Sequence, residues 1–491
     1  MAMTTLEFGA WEPDAALLNG QQAPEACNVI PAKRGYRPFH SLVAVTTAAL
    51  VDPVLEVFTS KGLDGELITA AATDDGIYML EAGDWEQRHS GTVATNNRWF
   101  AQYGSALYAL CGNALLKQAA AGQSYVPITT AEGFDYDAPT GELLAVIRDF
   151  LVLGRAGGVQ NCIRWSGIDR PDEWPTPGTN AAQYIQSDQQ VFPEGGKVMA
   201  VVGGVGGTDG IVFLERGIQR MTYVGTPYIF QFNPVDREHG LLAEKSPVVC
   251  GNACCYLSSD GWRMTDGVSV KNIGAERVDN WFWEHCDSER LEEVRGIHDP
   301  WKRLAVWSFP TIQAPAGVHD RLLIYSYLLD KWSYAAVETE CIYGDYSRGL
   351  TLEDLNAYGD LEHLPWASLD SAILKNGGRV LGAVTTEHRL GSFSGPALQA
   401  VVDTAESGGQ RMMIHGFRPL VDCGNAQAMP IWRVLQKNQR TAGKFTRQQR
   451  DGVCYQHLSC DYAAARVMVP AGEVWRNALA VEALIETEGG L

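Results

Sequence analysis

Three carboxylates lie between two tryptophans in a short stretch of this 491-residue chain. Asp169, Asp172 and Glu173 are flanked by Trp165 and Trp174. Glycosidases cleave sugar polymers with two carboxyl groups about 5–10 Å apart, and sugar-binding sites often combine acids with tryptophan. The same five residues also fit an acidic turn between two packed tryptophans, which is the interpretation that we favour.

Two other stretches have the residue types of a binding site without its spacing. Val201–Gly210 (VVGGVGGTDG) lacks the Gly-Lys-Ser/Thr ending of a phosphate-binding loop and is followed by a strand, so it predicts a hairpin tip. Cys250, Cys254 and Cys255 have no Cys-x-x-Cys spacing and no histidine nearby. They predict buried thiols in a strand rather than a zinc site.

The common catalytic motifs are missing from the sequence. It contains no Gly-x-Ser-x-Gly, no His-Glu-x-x-His and no cysteine–histidine pairing, and its ten histidines are dispersed. Carboxylates are plentiful, so a paired-acid glycosidase site stays open. The sequence otherwise predicts no catalytic residue, no metal site and no cofactor.

The chain is acidic, with 58 acidic and 39 basic residues and a net charge of −19. This balance argues against a nucleic-acid reader, because phosphate binding needs a concentrated basic surface. An acidic wall would instead suit a channel through which DNA slides without sticking. The one basic stretch, Lys437–Arg450, is interpreted as a solvated loop or a docking surface rather than as a nucleic-acid-binding surface. Its basic residues are Lys437, Arg440, Lys444, Arg447 and Arg450.

Composition and the first residues indicate a protein of the cytoplasm. A hydrophobic fraction of 46% and a charged fraction of 20% are those of a globular, soluble chain. Met1–Ala10 lacks the cationic region of a signal peptide, and no run approaches the roughly 18 apolar residues of a membrane span. Eleven cysteines, an odd number, suit a reducing compartment.

The elements that would position any site are strands. An apolar strand, a tight turn and a second strand recur at roughly 30 to 60 residues, which brackets the period of four-stranded propeller blades. One such unit cannot bury its own apolar face, so the units must pack around a common axis. The sequence therefore predicts an all-β fold with an irregular β-propeller. The recurring strands are Ile77–Leu80, Leu107–Leu110, Phe150–Leu153, Ile211–Leu214, Cys255–Leu257 and Leu304–Trp307.

Turn and helix signals complete the prediction. Thr73–Gly76, Asp260-Gly261 and Asp266-Gly267 predict hairpin turns between alternating runs. Short helices are expected at Val278–Arg295 and at Leu350–Leu361.

Changes in texture divide the chain into three regions. Residues 1–60 read as an extended N-terminal arm, residues 61–402 as the propeller with loop insertions, and residues 403–491 as a smaller β-rich platform domain. The arm is expected to join the platform, because chain termini often meet. A strand pair around Gly382–Gly395 is expected to close the ring of blades against early strands.

An ordered series of glycine, aromatic and strand motifs runs from Trp165 to Val278. It resembles the tail nozzle or hub proteins of short-tailed bacteriophages, which are also called tail tubular or stabilisation proteins. The likeness extends to both ends of the chain and so spans nearly all of it. The motifs are Trp165-Ser166-Gly167, Gly210–Leu214 (GIVFL), Gly217–Gly225 (GIQRMTYVG), Ser258–Gly261 (SSDG), Asn28–Pro31, Gly35–Pro38 and Val469–Trp475.

The resemblance implies a structural virion protein with a β-propeller and a β-rich platform, assembled into a ring of six copies. The ring would lie below the head-to-tail adaptor of the portal complex, in the tail of a virion that is assembled in the host cytoplasm. It would continue the channel for double-stranded DNA and support fibres or spikes. Such a protein would have no catalytic activity and no membrane span.

Interfaces rather than pockets would carry that function, and ordinary packing is the alternative role of every residue that we select for them. The selected residues are Pro31, Tyr36 and Pro38 in the arm and Arg418, Pro419 and Trp475 in the platform. Two other functions compete with a tail ring: a propeller glycosidase acting on a surface polysaccharide, and a cytoplasmic interaction propeller.

Overall fold

The computed structural model describes residues 2–16, 21–62, 65–91, 98–128, 139–346, 379–435 and 438–487. Within them the chain is built of strands, with two short helices, α1 (Asn180–Ile185) and α2 (Asp279–His285). The predicted helix Leu350–Leu361 lies outside the described residues. The chain begins with strands β1 Ala2–Glu7, β2 Ala26–Cys27, β3 Val29–Pro31, β4 Tyr36–Pro38 and β5 His40–Ala44.

Seven groups of four antiparallel strands follow, and six of them are separate four-stranded sheets. Blade 1 consists of β6 Glu56–Lys61, β7 Leu67–Ala72, β8 Gly76–Glu81 and β9 Asp84–Ser90, and blade 2 of β10 Arg98–Tyr103, β11 Ala106–Cys111, β12 Ala114–Gln118 and β13 Val126–Pro127. Blade 3 consists of β14 Leu143–Ile147, β15 Phe150–Gly154, β16 Cys162–Trp165 and β17 Asp188–Val191, and blade 4 of β18 Val198–Gly203, β19 Gly210–Leu214, β20 Gly217–Gly225 and β21 Ile229–Asp236. Blade 5 consists of β22 Val248–Cys250, β23 Ala253–Ser258, β24 Gly261–Thr265 and β25 Val270–Asn272, and blade 6 of β26 Arg295–Asp299, β27 Leu304–Phe309, β28 His319–Ser326 and β29 Lys331–Thr339. Blade 7 consists of β30 Ile342–Tyr346, β31 Arg379–Val384 and β32 Leu390–Ala397 together with β5.

Apolar side chains fill each junction between neighbouring blades. Between blades 7 and 1, Tyr343 and Val384 pack against Val57 and Ala71. Six further buried clusters join blade 1 to 2, 2 to 3, 3 to 4, 4 to 5, 5 to 6 and 6 to 7. The blades thus form a closed ring, because each one buries its faces against two neighbours. The predicted all-β propeller fold is confirmed.

The recurring apolar strands of the sequence are mostly the second strands of blades. In β11, β15, β19 and β27 every residue is buried. A second strand has hydrogen-bonded neighbours on both edges and other blades on both faces, so its sequence is an uninterrupted apolar run. The predicted hairpin turns at residues 73–76, 260–261 and 266–267 connect β7 to β8, β23 to β24 and β24 to β25.

The ring of blades is closed by a strand from the other end of the chain. β5 pairs with β32, with Val43 opposite Ser392 and Leu42 opposite Phe393. The Phe39 ring lies 5.1 Å from the Phe393 ring, centroid to centroid. The predicted latch between the strands around Gly382–Gly395 and early strands is therefore confirmed.

The remaining strands form the platform. Its C-terminal strands are β33 Ala400–Asp403, β34 Ser407–Val421, β35 Gln427–Arg433, β36 Thr441–Ala442, β37 Thr446–Arg447, β38 Cys454–Val469 and β39 Ala478–Thr487. β1 pairs with β39, and β2 bridges β33 to β29 of blade 6. Blade 6 and the platform are consequently one 15-stranded sheet.

Two predicted boundaries are corrected. The arm of residues 1–60 is divided, because β1–β4 belong to the platform sheet while β5 and β6 belong to the propeller. The reason is ring closure, which takes one early strand into blade 7. The helix expected over Val278–Arg295 is interrupted: α2 ends at His285, a 3-10 helix spans Ser288–Glu293, and Arg295 begins β26.

Helix α2 begins with a carboxylate that enters the core of blade 5. Asp279 is buried, and its Oδ1 accepts a hydrogen bond from the Trp262 backbone N–H at 3.0 Å. The space exists because Gly261 and Gly274 have no side chains: a Cβ there would lie 2.1 Å and 1.9 Å from the carboxylate oxygens. Burial raises the pKa of Asp279 to about 6, although the Trp262 N–H opposes that shift.

The raised pKa gives a testable pH dependence. The folded state holds the Asp279 proton more tightly than the unfolded state, whose pKa is near 3.8. Stability contributed by this group is therefore present below about pH 4 and lost as the pH rises through about 6. Relative to Asp279→Asn, the wild type should lose about 2 kcal/mol of unfolding free energy between pH 4 and pH 7. Urea unfolding of both proteins across this range checks it, and a constant difference between them would contradict it.

Candidate functional site at the mouth of the propeller channel

The first strands of the blades begin at the same end of the propeller axis. Side chains of Val57, Trp99, Ile297 and Tyr343, each from a different blade, line an axial cavity of about 170 Å³. A larger cavity, of about 750 Å³, lies at the starting ends of these strands. Its volume is that of a small-molecule site, so we take this mouth as the candidate site.

Arg155 is the centre of one ion-pair group at the mouth. Its side chain is 4% exposed, and its Nη1 and Nη2 donate to Glu244 Oε1 at 2.5 Å and Oε2 at 3.0 Å. Glu142 Oε2 lies 2.6 Å from its Nε, and Lys197 Nζ lies 3.9 Å from Glu244. Arg155 follows β15 with a left-handed φ of 52°, which turns its side chain away from the strand.

A second group is built around Glu56. Lys245 and Arg295 both pair with its Oε2, Arg295 Nη1 at 2.9 Å. The Lys245 ammonium also lies 5.3 Å from the centre of the Trp99 ring. Burial, with the neighbouring Arg295, lowers the pKa of Lys245 to about 8, although Glu56 opposes this shift.

Two histidine–carboxylate pairs border the same cavity. His388 Nδ1 contacts Glu340, and burial raises the pKa of Glu340 although the Val54 N–H and His388 oppose that shift. His319 Nε2 lies 3.6 Å from Glu293. Burial alone would raise the pKa of Glu293, but hydrogen bonds from His319 and Arg290 hold it at about 2.

The mouth is thus a network of charges that neutralise one another. Glu142 and Glu244 share one guanidinium, and Lys245 and Arg295 share one carboxylate. Such pairs fix side chains and hold the blades together across the axis. A reactive acid–base pair would instead need a carboxyl group free to exchange a proton with a substrate.

Sequence reasoning missed this network, although a signal for it exists. Glu56 and Arg295 are the first residues of β6 and β26, and Glu142 and Lys197 immediately precede β14 and β18. A charged residue at the start of a blade's first strand, rather than a motif, is what marks the mouth.

The carboxylates selected from the sequence lie elsewhere, in the connection between β16 and β17. Asp172 accepts a hydrogen bond from the Tyr108 hydroxyl at 2.8 Å and pairs with Lys117, and Glu173 pairs with Arg170 at 3.1 Å. Asp169 accepts from the Tyr103 hydroxyl at 3.3 Å. Trp165 and Trp174 are both buried. The acidic turn between packed tryptophans, the interpretation favoured above, is confirmed.

The glycine-rich and cysteine-rich stretches also have structural roles. The glycine-rich turn connects β18 to β19 as a hairpin tip, and Cys250, Cys254 and Cys255 are buried in β22 and β23. Across the parts of the chain that the structure describes, no group of three or more His, Cys, Asp or Glu side chains could hold a metal ion. No helix in those parts is long and apolar enough to cross a membrane.

The six selected interface residues lie in the platform sheet or against it. Trp475 and Tyr36 are 4% and 1% exposed, and they belong to one apolar cluster. The Tyr36 hydroxyl donates to the Gly9 carbonyl at 2.8 Å. Pro31 and Pro419 are buried as well, whereas Pro38 and Arg418 are half-buried. The four buried residues therefore pack inside the subunit, which is the alternative role that the sequence analysis gave them.

Comparison with known proteins gives a likeness of fold. No protein-family model matches the chain, and no curated protein matches it. Among solved structures, the WD40 domain of Pan2 from Neurospora crassa aligns at 8% identity and a TM-score of 0.38, over 74% of this chain and 99% of that one. The extracellular domain of BT4673 from B. thetaiotaomicron aligns at 11% identity and a TM-score of 0.41, over 78% of this chain and 44% of that one. An exo-beta-1,3-galactanase from Phanerochaete chrysosporium aligns at 9% identity and a TM-score of 0.27, over 80% of this chain and 97% of that one.

Proposed function

We propose that this chain is a structural subunit of a short phage tail, without catalytic activity. Copies of it form a ring, of six by the resemblance in the sequence, that continues the DNA channel below the head-to-tail adaptor and supports fibres or spikes. The observation that carries the proposal is the platform, a second β-structure that a small-molecule enzyme does not need.

Two strands of the platform are unusually long. β34 has 15 residues and β38 has 16, longer than the usual 3–10 residues of a strand. Through β2 they are hydrogen-bonded into the sheet of blade 6, so platform and propeller are covalently and structurally continuous. This continuity fixes the angle between the two parts, as a subunit of a closed ring requires.

The propeller axis is too narrow to conduct DNA, so the proposed conduit would lie between copies. Trp99 and the other axial side chains leave a cavity of only about 170 Å³, the volume of a few water molecules. A DNA duplex is roughly 20 Å across on the scale set by its grooves. A lumen of that width forms only when several subunits surround a common axis.

The internal pairing of charges at the channel mouth supports the absence of catalysis. Arg155 and Glu56 each hold two oppositely charged neighbours, and the tryptophan-flanked carboxylates are bound to Tyr103, Tyr108, Lys117 and Arg170. Groups so engaged stabilise the fold.

Mass photometry of the purified chain, alone and with its adaptor, tests the ring. A subunit has a mass of 53.6 kDa, so six copies should give about 320 kDa. Electron microscopy of purified particles should then show the ring at the distal end of the tail. Monomers alone, even with the adaptor present, would contradict the proposal, and so would virions that lack the chain.

A further inference from the structure

The described part of the basic stretch, residues 438–450, is largely exposed and is fastened to the platform sheet. Between Asp422 and Asp451 the sequence contains six basic residues and no acidic one. Backbone hydrogen bonds fasten the stretch to its neighbours, from Gly443 N to Pro430 O at 2.9 Å and from Gln448 N to Ala426 O at 3.1 Å. Two short strands of the stretch, β36 and β37, also pair with β35.

One side chain secures this surface from beneath. Gln456 Nε2 donates to the carbonyls of Ala428 and Lys444 at 2.9 Å and 3.0 Å and to the Thr446 hydroxyl at 3.0 Å. The backbone that carries the cations is thus ordered before any partner arrives, which lowers the entropy cost of binding.

Three cations of this stretch have no ion-pair partner among the residues that the structure describes. Arg433 and Arg440 turn inward toward Glu406. Lys444, Arg447 and Arg450 are exposed, and no ion pair reaches them in the described parts of the chain. We call these three, with the exposed rings of Phe445 (37%) and Tyr455 (48%), the basic patch. The nearest acid, Asp451, accepts hydrogen bonds from the Val453 N–H and the Tyr455 hydroxyl.

A surface of opposite character lies on the propeller, at the end of α2 and in the 3-10 helix that follows it. Glu284, Glu289 and Glu292 are exposed and have no ion-pair partner in the described structure. Arg290 fastens this segment by donating to the carbonyls of Ala314 and Pro315 at 3.3 Å and 3.2 Å. We call the three glutamates, with the 73% exposed Ile312 of the adjoining loop, the acidic patch.

We propose that the basic patch of one subunit binds the acidic patch of a second copy of this chain. The inference rests on the proposed ring. A ring is closed by heterologous contacts, in which two different surfaces of each subunit meet. One patch is on the platform and the other on the propeller, and both carry exposed apolar side chains. Each offers three charges that are unpaired within the described ranges of the chain. Interfaces of this composition combine an apolar centre with complementary charge at the rim.

The alternative occupant of the basic patch is the DNA backbone. Phosphates would also neutralise Lys444, Arg447 and Arg450 beside aromatic rings. A second copy is favoured over DNA as the occupant. Without the three cations of the basic patch, the chain is more acidic than its net charge of −19, so every subunit presents an anionic surface to its neighbours.

Charge exchange tests the contact directly. The variant Lys444→Glu/Arg447→Glu/Arg450→Glu should raise the dissociation constant of the ring at least about tenfold, since three attractive pairs become repulsive. The variant Glu284→Lys/Glu289→Lys/Glu292→Lys should do the same. Combining the six substitutions in one chain should restore the ring, because the charges are then exchanged and again complementary. Mass photometry as a function of protein concentration, at low and high salt, measures all three.

A matched control separates the contact from net charge. Lys33→Glu/Arg216→Glu/Arg237→Glu reverses three exposed cations outside the patch and should leave the ring intact. A wild type that stays monomeric overturns the proposed function itself. A wild-type ring that survives both triple reversals overturns only this inference. So does failure of the six-fold variant to reassemble while its circular dichroism is native, or a basic-patch reversal that weakens DNA retention on a filter and spares the ring.

Discussion

Replacing Arg155 with methionine is expected to lower the free energy of unfolding by about 3 kcal/mol. The substitution removes the cation that Glu142 and Glu244 share, whose guanidinium lies 2.6 Å and 2.5 Å from their carboxylates, and leaves Lys197 Nζ at 3.9 Å from Glu244. Methionine keeps the aliphatic volume, and both residues bear the same strain from the left-handed φ of 52°. The loss therefore reports the two carboxylates that lose this guanidinium, at a site where the Arg155 side chain is 4% exposed.

Two further variants make this result specific. Adding Glu142→Gln and Glu244→Gln to the Arg155→Met protein should recover most of the loss, because no uncompensated charge then remains. Arg170→Met is the matched control: its pair with Glu173 has a side chain 48% exposed, so its effect should stay below about 1 kcal/mol. Urea unfolding at neutral pH measures all of them. If Arg155→Met stays within about 0.5 kcal/mol of the wild type, the ion-pair group does not hold blades 3, 4 and 5 together.

The strands that could be predicted are those with one environment along their whole length. β15 and β19 are buried on every residue, so their sequences, FLVLG and GIVFL, carry the signal without context. The outer strands β9 and β17 are largely exposed and polar, and no periodicity marks them. Most blades are consequently visible in the sequence through their second strand, and the distance between these strands varies with the lengths of the loops between them.

The division of the arm was beyond reach for a related reason. Residues 40–44 read HSLVA, and all five are half-buried, so nothing local distinguishes them from β1–β4. Their assignment to blade 7 depends on Ser392 and Phe393, about 350 residues away along the chain. A closing strand is specified by its partner's free edge, which a single sequence does not display.

The mouth of the channel was missed because its chemistry is assembled by topology. Glu56 and Arg295 begin strands β6 and β26, whereas Arg155 and Glu244 lie in connections, and the four residues share no spacing. Only the common direction of the first strands brings them to one end of the axis. The interface candidates Tyr36 and Trp475 are buried within the subunit. Large aromatic residues near the chain ends indicate internal packing as often as an interface with a partner.

Removing residues 1–45 is expected to abolish cooperative folding altogether. The deletion takes away β5 and leaves β32 as an open edge, together with the hydrogen bond from Val45 N to Leu390 O at 2.7 Å. It also removes Trp11, Tyr36 and Phe39, which are at most 1% exposed. Each such loss is worth about 3–5 kcal/mol, and together they match the about 5–15 kcal/mol that stabilises a typical domain. Circular dichroism melting should show no sharp transition, and gel filtration should show aggregates.

A graded series distinguishes closure of the ring from loss of mass. Phe39→Ala keeps β5 but removes the ring that lies 5.1 Å from Phe393, and it should lower stability by about 3–5 kcal/mol while the transition stays cooperative. Arg37→Ala, at an exposed site of β4, should change stability by less than about 0.5 kcal/mol. A peptide of residues 1–45 added to the truncated chain should restore native circular dichroism, because the free edge of β32 and the emptied platform cluster are its binding sites. A truncated chain that melts cooperatively near the wild-type temperature would show that blade 7 holds without its N-terminal strand.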